Sequence, residues 1–149
     1  MKSLYKESDA AEIIMRINRL TPETQRQWGK MSVSQMMAHC TEAFRQAFGE
    51  IKIKRSIPGI LFGRIAKRMF TGDKQFKPGL PTDKQFVFTD EKDFNEEKKN
   101  LIDAVQKFST GRGSNLTTDP HPFFGKMSNE DWDMMFYKHL DHHLRQFGV

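Results

Sequence analysis

The residues most able to do chemistry lie in one stretch near the end of the chain, residues 132–147, which read WDMMFYKHLDHHLRQF. Three of the five histidines are there, and two of them, His139 and His143, stand four residues apart. On an α-helix that spacing puts both imidazoles on one face, one turn apart. At about 100° per residue, Trp132, Met135, Phe136 and Phe147 project to the same side, so the pair lies inside an apolar stripe. Two neutral imidazoles at i and i+4, pointing into a helical core, are a common grip on a divalent metal. Without partners in such a stripe each ring would cost about 1–3 kcal/mol in unmet hydrogen bonding, and a metal removes that cost on one nitrogen.

The other reactive side chains give weaker signals than this pair. His142 falls about 100° from His143, near the edge of the stripe. It reads either as a general acid/base or ligand-supporting group, or as a solvated border residue. Leu140 stands where an H-E-x-x-H metalloprotease would carry its glutamate base, which disfavours a protease. His39, taken alone, is a hydrogen-bonded border residue more readily than a ligand. His121 lies between Pro120 and Pro122, a pattern that favours a rigid packed loop over a ligand position. Cys40, the single cysteine, falls toward the core side of its helix and reads as a small buried residue rather than a nucleophile.

These residues need elements to position them. Ser8 or Asp9 can cap a first helix running to about residue 19, with Ile13, Ile14, Ile17 and Leu20 buried. Thr21-Pro22 stops it. Trp28, beside Gly29, reads as a plug at the end of the core. Ser32 and Gln35 form an S-x-x-Q capping box that starts a second helix, from 33 to about 48. Its stripe is Val33, Met36, Cys40, Ala43, Phe44 and Ala47, with His39 at the edge.

Residues 50–89 form a connection too long for a tight turn. Within it PGILFGRIAKRMF predicts a short helix with Leu61, Phe62, Ile65 and Met69 on one side and Arg64, Lys67 and Arg68 on the other. An amphipathic helix of that kind either docks on an anionic membrane or packs across the core as a cover, and the second is the ordinary case. FVF at 86–88 reads as a brief strand or an apolar anchor. Thr89 or Asp90 begins a third long helix to about Ser109, ended by Gly111 and Gly113. Ser128 caps the last helix, with Glu130 and Asp131 in its first turn, where the helix dipole favours acids.

At 149 residues the chain is the size of one domain, 1–149, with 37% hydrophobic and 29% charged residues. No apolar run approaches the ~20 residues that span a bilayer, and MKSLYKESD lacks a signal-peptide core. With one cysteine there is no internal disulfide framework, so a reducing cytoplasm is the expected location. The net charge of +5 is local: segment 51–80 holds eight basic side chains against one acid, and the rest has 16 basic against 18 acidic. Such a segment suits a solvated loop or an anion-facing rim better than a duplex-binding face.

His39 on the second helix, then His139, His142, His143 and Gln146 on the last, resemble the DinB/YfiT-like metal-binding superfamily. MSVSQMMAHC, PHPFFG and YKHLDHHLRQFG are similar to a subgroup still classed as a domain of unknown function. The likeness covers essentially the whole chain, with its distinctive words in 28–48 and 120–148. It implies an all-α four-helix bundle whose long crossover joins helices 2 and 3 running parallel, with the short extra helix inside that crossover. It implies a divalent metal, zinc or nickel, on His39, His139 and His143. Relatives of this type are largely thiol-cofactor-dependent transferases or isomerases, and others are described as hydrolases.

Three neutral imidazoles leave at least one coordination position open, the arrangement of a catalytic site rather than a closed structural one. A metal there lowers the pKa of water toward neutrality or presents a thiolate to an electrophile. The expected function is therefore a metal-dependent thiol transferase or hydrolase, with His142 as the catalytic candidate and Glu42 or Gln146 as acceptors for the ligand rings. Its partners would be a small-molecule substrate or a low-molecular-weight thiol, whose carboxylates the arginines and lysines of 51–77, Arg64 and Lys67 among them, could meet. A second copy of the chain stays open, and nucleic acid and membrane are disfavoured. The alternatives are a non-catalytic metal-binding or stress-related interaction module, and, behind it, a nucleic-acid or membrane-surface binder.

Overall fold

A computed structural model describes residues 2–55, 57–72, 74–80, 82 and 84–149. The described residues are all-helical: α1 Glu7–Arg19, α2 Val33–Ala47, α3 Ile57–Thr71, α4 Phe94–Gly111 and α5 Asn129–Gln146, with a short 3-10 turn at Lys84–Phe86. Helix α2 packs on α4 and α5, and α1 packs on the same two helices from the other side. Helix α3 rests on α5 alone among the helices. Among the described residues no helix is long and apolar enough to cross a membrane.

The core sits where α2, α4 and α5 meet. Phe44 stacks on Phe136 with ring centroids 4.1 Å apart, and Phe108 and Trp132 pack against the same ring at 5.0 and 5.6 Å. All four are buried. Truncating one such ring to alanine costs about 3–5 kcal/mol, so this cluster carries much of the stability. Around it Ile13 and Ile17 of α1 and Leu20 at its C-cap are buried as expected, whereas Ile14 is only partly covered.

Several boundaries follow the sequence reading and others correct it. The Ser32–Gln35 capping box is present, each side chain meeting the other residue's backbone N–H. Ser128 caps α5 in the same way with Asp131. The first helix, however, starts at Glu7 behind Lys6, and neither Ser8 nor Asp9 caps it. Asp9 is instead occupied by the Ser3 backbone N–H and the Lys2 ammonium, both at 3.0 Å. Likewise α4 starts at Phe94 under an Asp93 cap, not at Thr89 or Asp90. The Asp90 carbonyl accepts from Gln35 of α2, which ties that residue to the neighbouring helix and holds it outside α4. At the far end α4 runs through Gly111 and stops where Arg112 turns left-handed.

Helix α3 overturns the expectation that its apolar side covers the core. Leu61, Phe62, Ile65 and Met69 are 67, 59, 72 and 51% exposed. The side facing the body is instead made of Gly59, Gly63 and the partly buried Ala66 and Phe70, and both glycines run against the backbone of the PHPFFG loop. A Cβ built on Gly63 would lie 2.0 Å from the Phe123 carbonyl oxygen, and one on Gly59 would lie 2.8 Å from the Phe123 Cα. Only glycine permits that approach. Lys138 of α5 donates to the Met69 and Gly72 carbonyls at the helix end, and Lys67 pairs with Asp131 at the start of α5.

Candidate metal centre

The site is assembled from α2, α5 and the turn before α4. His39 is buried on the α5-facing side of α2, and its Nε2 stands 2.9 Å from His139 Nε2. The His143 ring lies 4.8 Å from the His39 ring and 4.7 Å from that of His139, centroid to centroid. One nitrogen from each ring falls within 4.8 Å of the other two. His139 and His143 reach this point together because both lie on one stripe of α5. His39 meets them because α2 packs against that stripe. His39 and His143 are buried and His139 partly so, which makes His139 the more open edge.

Two backbone carbonyls fix the ring tautomers. His39 Nδ1 lies 3.0 Å from the Phe86 carbonyl oxygen, which can only accept, so His39 carries its proton on Nδ1 and offers a lone pair at Nε2. The second anchor works through a relay. Gln146 Nε2 donates to the Trp28 carbonyl at 2.8 Å, which turns Gln146 Oε1 toward His143 Nδ1, also at 2.8 Å. His143 Nδ1–H therefore donates to Oε1, and its Nε2 too is left with a lone pair. With His39 already protonated on Nδ1, the short contact to His139 requires His139 Nε2–H as donor in the metal-free chain.

Burial also keeps these rings uncharged. It lowers the pKa of His39, and it lowers that of His139 well below the ordinary histidine range, with His143 and His39 adding repulsion. His143 is pushed down to about 3, by burial first and then by His39. Neutral imidazoles with the remote ring nitrogen held by a carbonyl are the form in which histidine binds metal. The donor set of three nitrogens and no thiolate suits a borderline ion such as zinc or nickel.

The remaining expected residues fall differently. His142 lies beside the cluster, its ring 5.1 Å from that of His143, 5.8 Å from Trp28 and 5.9 Å from Phe76. It is buried, its ring shares a hydrogen bond with the Phe76 backbone, and among the described residues its Nδ1 has no partner. Burial first, then Arg145, lowers its pKa. His121 stands apart: its Nδ1 accepts from the Phe123 and Phe124 backbone N–H groups at 3.1 Å, which locks the PHPFFG turn. Cys40 is buried and its thiol pKa is raised by burial, as a core residue requires.

Of the two acceptors expected for the ligand rings, Gln146 is in place and Glu42 is not, because Glu42 pairs with Arg45 at 2.6 Å. Lys67 does not face the cluster either. Its partners are Asp131 and the Lys126 carbonyl, about two helix turns from His139. Phe86, at the start of the FVF run, serves as an anchor through its carbonyl, and Val87 is exposed. Two surface grooves lie elsewhere: one of about 500 Å³ lined by Glu42, Arg45, Glu97 and Lys107, and one of about 390 Å³ beside Tyr137, Lys138 and Arg145. None of the three histidines lines either groove.

Residues 2–148 match a protein family described as "Protein of unknown function (DUF1569)". No curated protein and no solved structure matches the chain.

Proposed function

The chain belongs to the DUF1569 family, whose function is unknown, and we propose that it is a DinB/YfiT-like metal-dependent enzyme, a thiol transferase or hydrolase. In this reading α1, α2, α4 and α5 form the four-helix bundle, and the connection carrying α3 is its long crossover. His39, His139 and His143 hold one divalent ion. The observation that carries the reading is the convergence of their three nitrogens within 4.8 Å, with two of the rings already oriented by carbonyls.

A divalent ion bound there supplies Lewis acidity toward water or a thiol at its open position. The chain's own residues do the rest. Phe86 and the Trp28–Gln146 relay hold His39 and His143 as neutral donors with their lone pairs turned inward. His142, whose ring lies beside His143 and whose Nδ1 has no partner among the described residues, would take a proton from the incoming nucleophile. Trp28 and Phe76 flank that ring and limit water around it.

The burial of His39 and His143 favours a second reading, a metal-binding module without catalysis. Elemental mass spectrometry on untagged protein tests the common premise. Near one zinc or nickel per chain, lost in His139→Ala/His143→Ala, supports it; no metal in either, and no uptake on addition, overturns it. Cobalt-substituted protein separates the two readings: a spectrum that shifts on adding a small thiol supports the enzyme, and an unresponsive spectrum supports the module.

A further inference from the structure

The outer face of α3 is the largest feature that the histidine site leaves unused. On a projection of about 100° per residue, Ile57, Leu61, Ile65, Met69 and Phe62 spread over an arc of about 140°. Every one of them is more than half exposed. Arg64 and Arg68 fall within about 20° of Ile57, at the edge of that arc, and Ile60 lies beyond them, also exposed. Neither arginine makes an ion pair among the described residues, and the helix contains no acid. The opposite side is committed to the body through Gly59 and Gly63, so the helix cannot turn its apolar residues inward without a clash.

From this arrangement we propose that α3 is a docking face for an anionic phospholipid surface, lying in the plane of the headgroups with Leu61, Ile65, Met69 and Phe62 inserted. A helix that lies in the interface carries an apolar wedge with cationic side chains along its border, the stems following the wedge and the charged heads reaching phosphate. Charge decides between occupants. Segment 51–80 carries eight basic residues against one acid. A second copy on this face would bring two such segments together without counter-charge, whereas anionic lipid supplies it. At 15 residues α3 is shorter than the roughly 20 that a span needs, so it would lie in the interface rather than across it. The proposal does not depend on the histidine site.

Co-sedimentation of the full chain with vesicles tests it. Phosphatidylcholine vesicles with about 30 mol% phosphatidylglycerol should bind the protein, and pure phosphatidylcholine should bind it at least tenfold more weakly. Raising salt from about 0.1 to about 0.5 M should release it. Arg64→Gln/Arg68→Gln should weaken partitioning roughly 25-fold, at about fivefold per arginine. Leu61→Gln/Ile65→Gln should abolish it with unchanged helical content, because both side chains are exposed. The salt series on the unsubstituted chain needs no variant to fold. The proposal is overturned by absent binding, by equal binding to neutral vesicles, by retention on duplex DNA in place of vesicles, or by self-association that Leu61→Gln/Ile65→Gln removes while vesicles bind nothing.

Discussion

Gly29 stands where any side chain would strike Gln146: a Cβ built on it would lie 2.4 Å from Gln146 Nε2. Its φ of +82° adds a second demand for glycine. That same Nε2 donates to the Trp28 carbonyl, one residue earlier, and so sets the direction of Oε1 toward His143. A turn between α1 and α2 thus orients a ring on α5. Gly29→Ala should cost ~1–2 kcal/mol from the left-handed backbone alone. It should also swing the Gln146 amide away and lower zinc affinity about tenfold. Chelator competition on the purified variant reads the second effect. Lower stability with unchanged affinity would mean that the relay has no bearing on the metal.

Gln146 itself gives the sharper test, because its two ends can be separated. Gln146→Leu removes the acceptor for His143 Nδ1–H, freeing the ring to change tautomer, and zinc affinity should fall by about 10- to 100-fold. Gln146→Glu keeps an acceptor for His143 while turning an oxygen on the Trp28 carbonyl. It should therefore retain more affinity than the leucine variant and lose more stability. Calorimetric titration with zinc and thermal unfolding together read both. Equal affinity in the two variants would remove Gln146 from the site.

Much of this centre was legible in the chain because helical periodicity is legible. His139, His143 and Gln146 share a face of α5 by spacing alone, and the capping box at Ser32 placed His39 on a helix. What could not be read were groups without side-chain identity. The Phe86 carbonyl reaches His39 from 47 residues away, and any residue type at 86 could supply it. Glu42 and Gln146 looked alike as acceptors until Arg45 was seen to take Glu42. The start of α4 was expected at Thr89 or Asp90, but Gln35, a residue on another helix, holds the Asp90 carbonyl and Asp93 is the cap. Periodicity on α3 grouped Leu61, Ile65 and Met69 correctly, but it cannot say which side meets the body. Gly59 and Gly63, four residues apart, were the available signal.

The metal-free protein should lose stability as acid is added, and the sign follows from the histidines. In the unfolded chain each imidazole takes a proton near pH 6.5, whereas burial holds the folded-state pKa of His39, His139 and His143 below that, His143 at about 3. Between those limits the unfolded state binds more protons, so stability rises with pH there and falls as pH drops. The contribution is fully present above pH 6.5 and is lost progressively toward the folded values. Urea midpoints between pH 7 and pH 5, where most carboxylates barely titrate, should decline in the metal-free chain. In His143→Gln the decline should be shallower. A parallel decline in the two proteins would show that His143 is not buried neutral.

The Gly63 contact predicts a defect confined to one helix. A Cβ at 63 would sit 2.0 Å from a backbone oxygen of Phe123, which cannot rotate aside as a side chain can, so Gly63→Ala must lift α3 off the PHPFFG turn. Yet α3 gives the core only the partly buried Ala66 and Phe70, while the fully buried side chains come from elsewhere in the chain. Global stability should therefore fall modestly, by about 1–2 kcal/mol. Amide exchange in residues 57–71 should accelerate by at least tenfold, while α2, α4 and α5 stay protected. Zinc affinity should be unchanged, because no ligand or anchor of the three histidines lies on α3. Mass-spectrometric hydrogen exchange on Gly63→Ala resolves the two regions in one experiment. Faster exchange spread over α2 and α5 would show that α3 is part of the cooperative core rather than a separately held element on its surface.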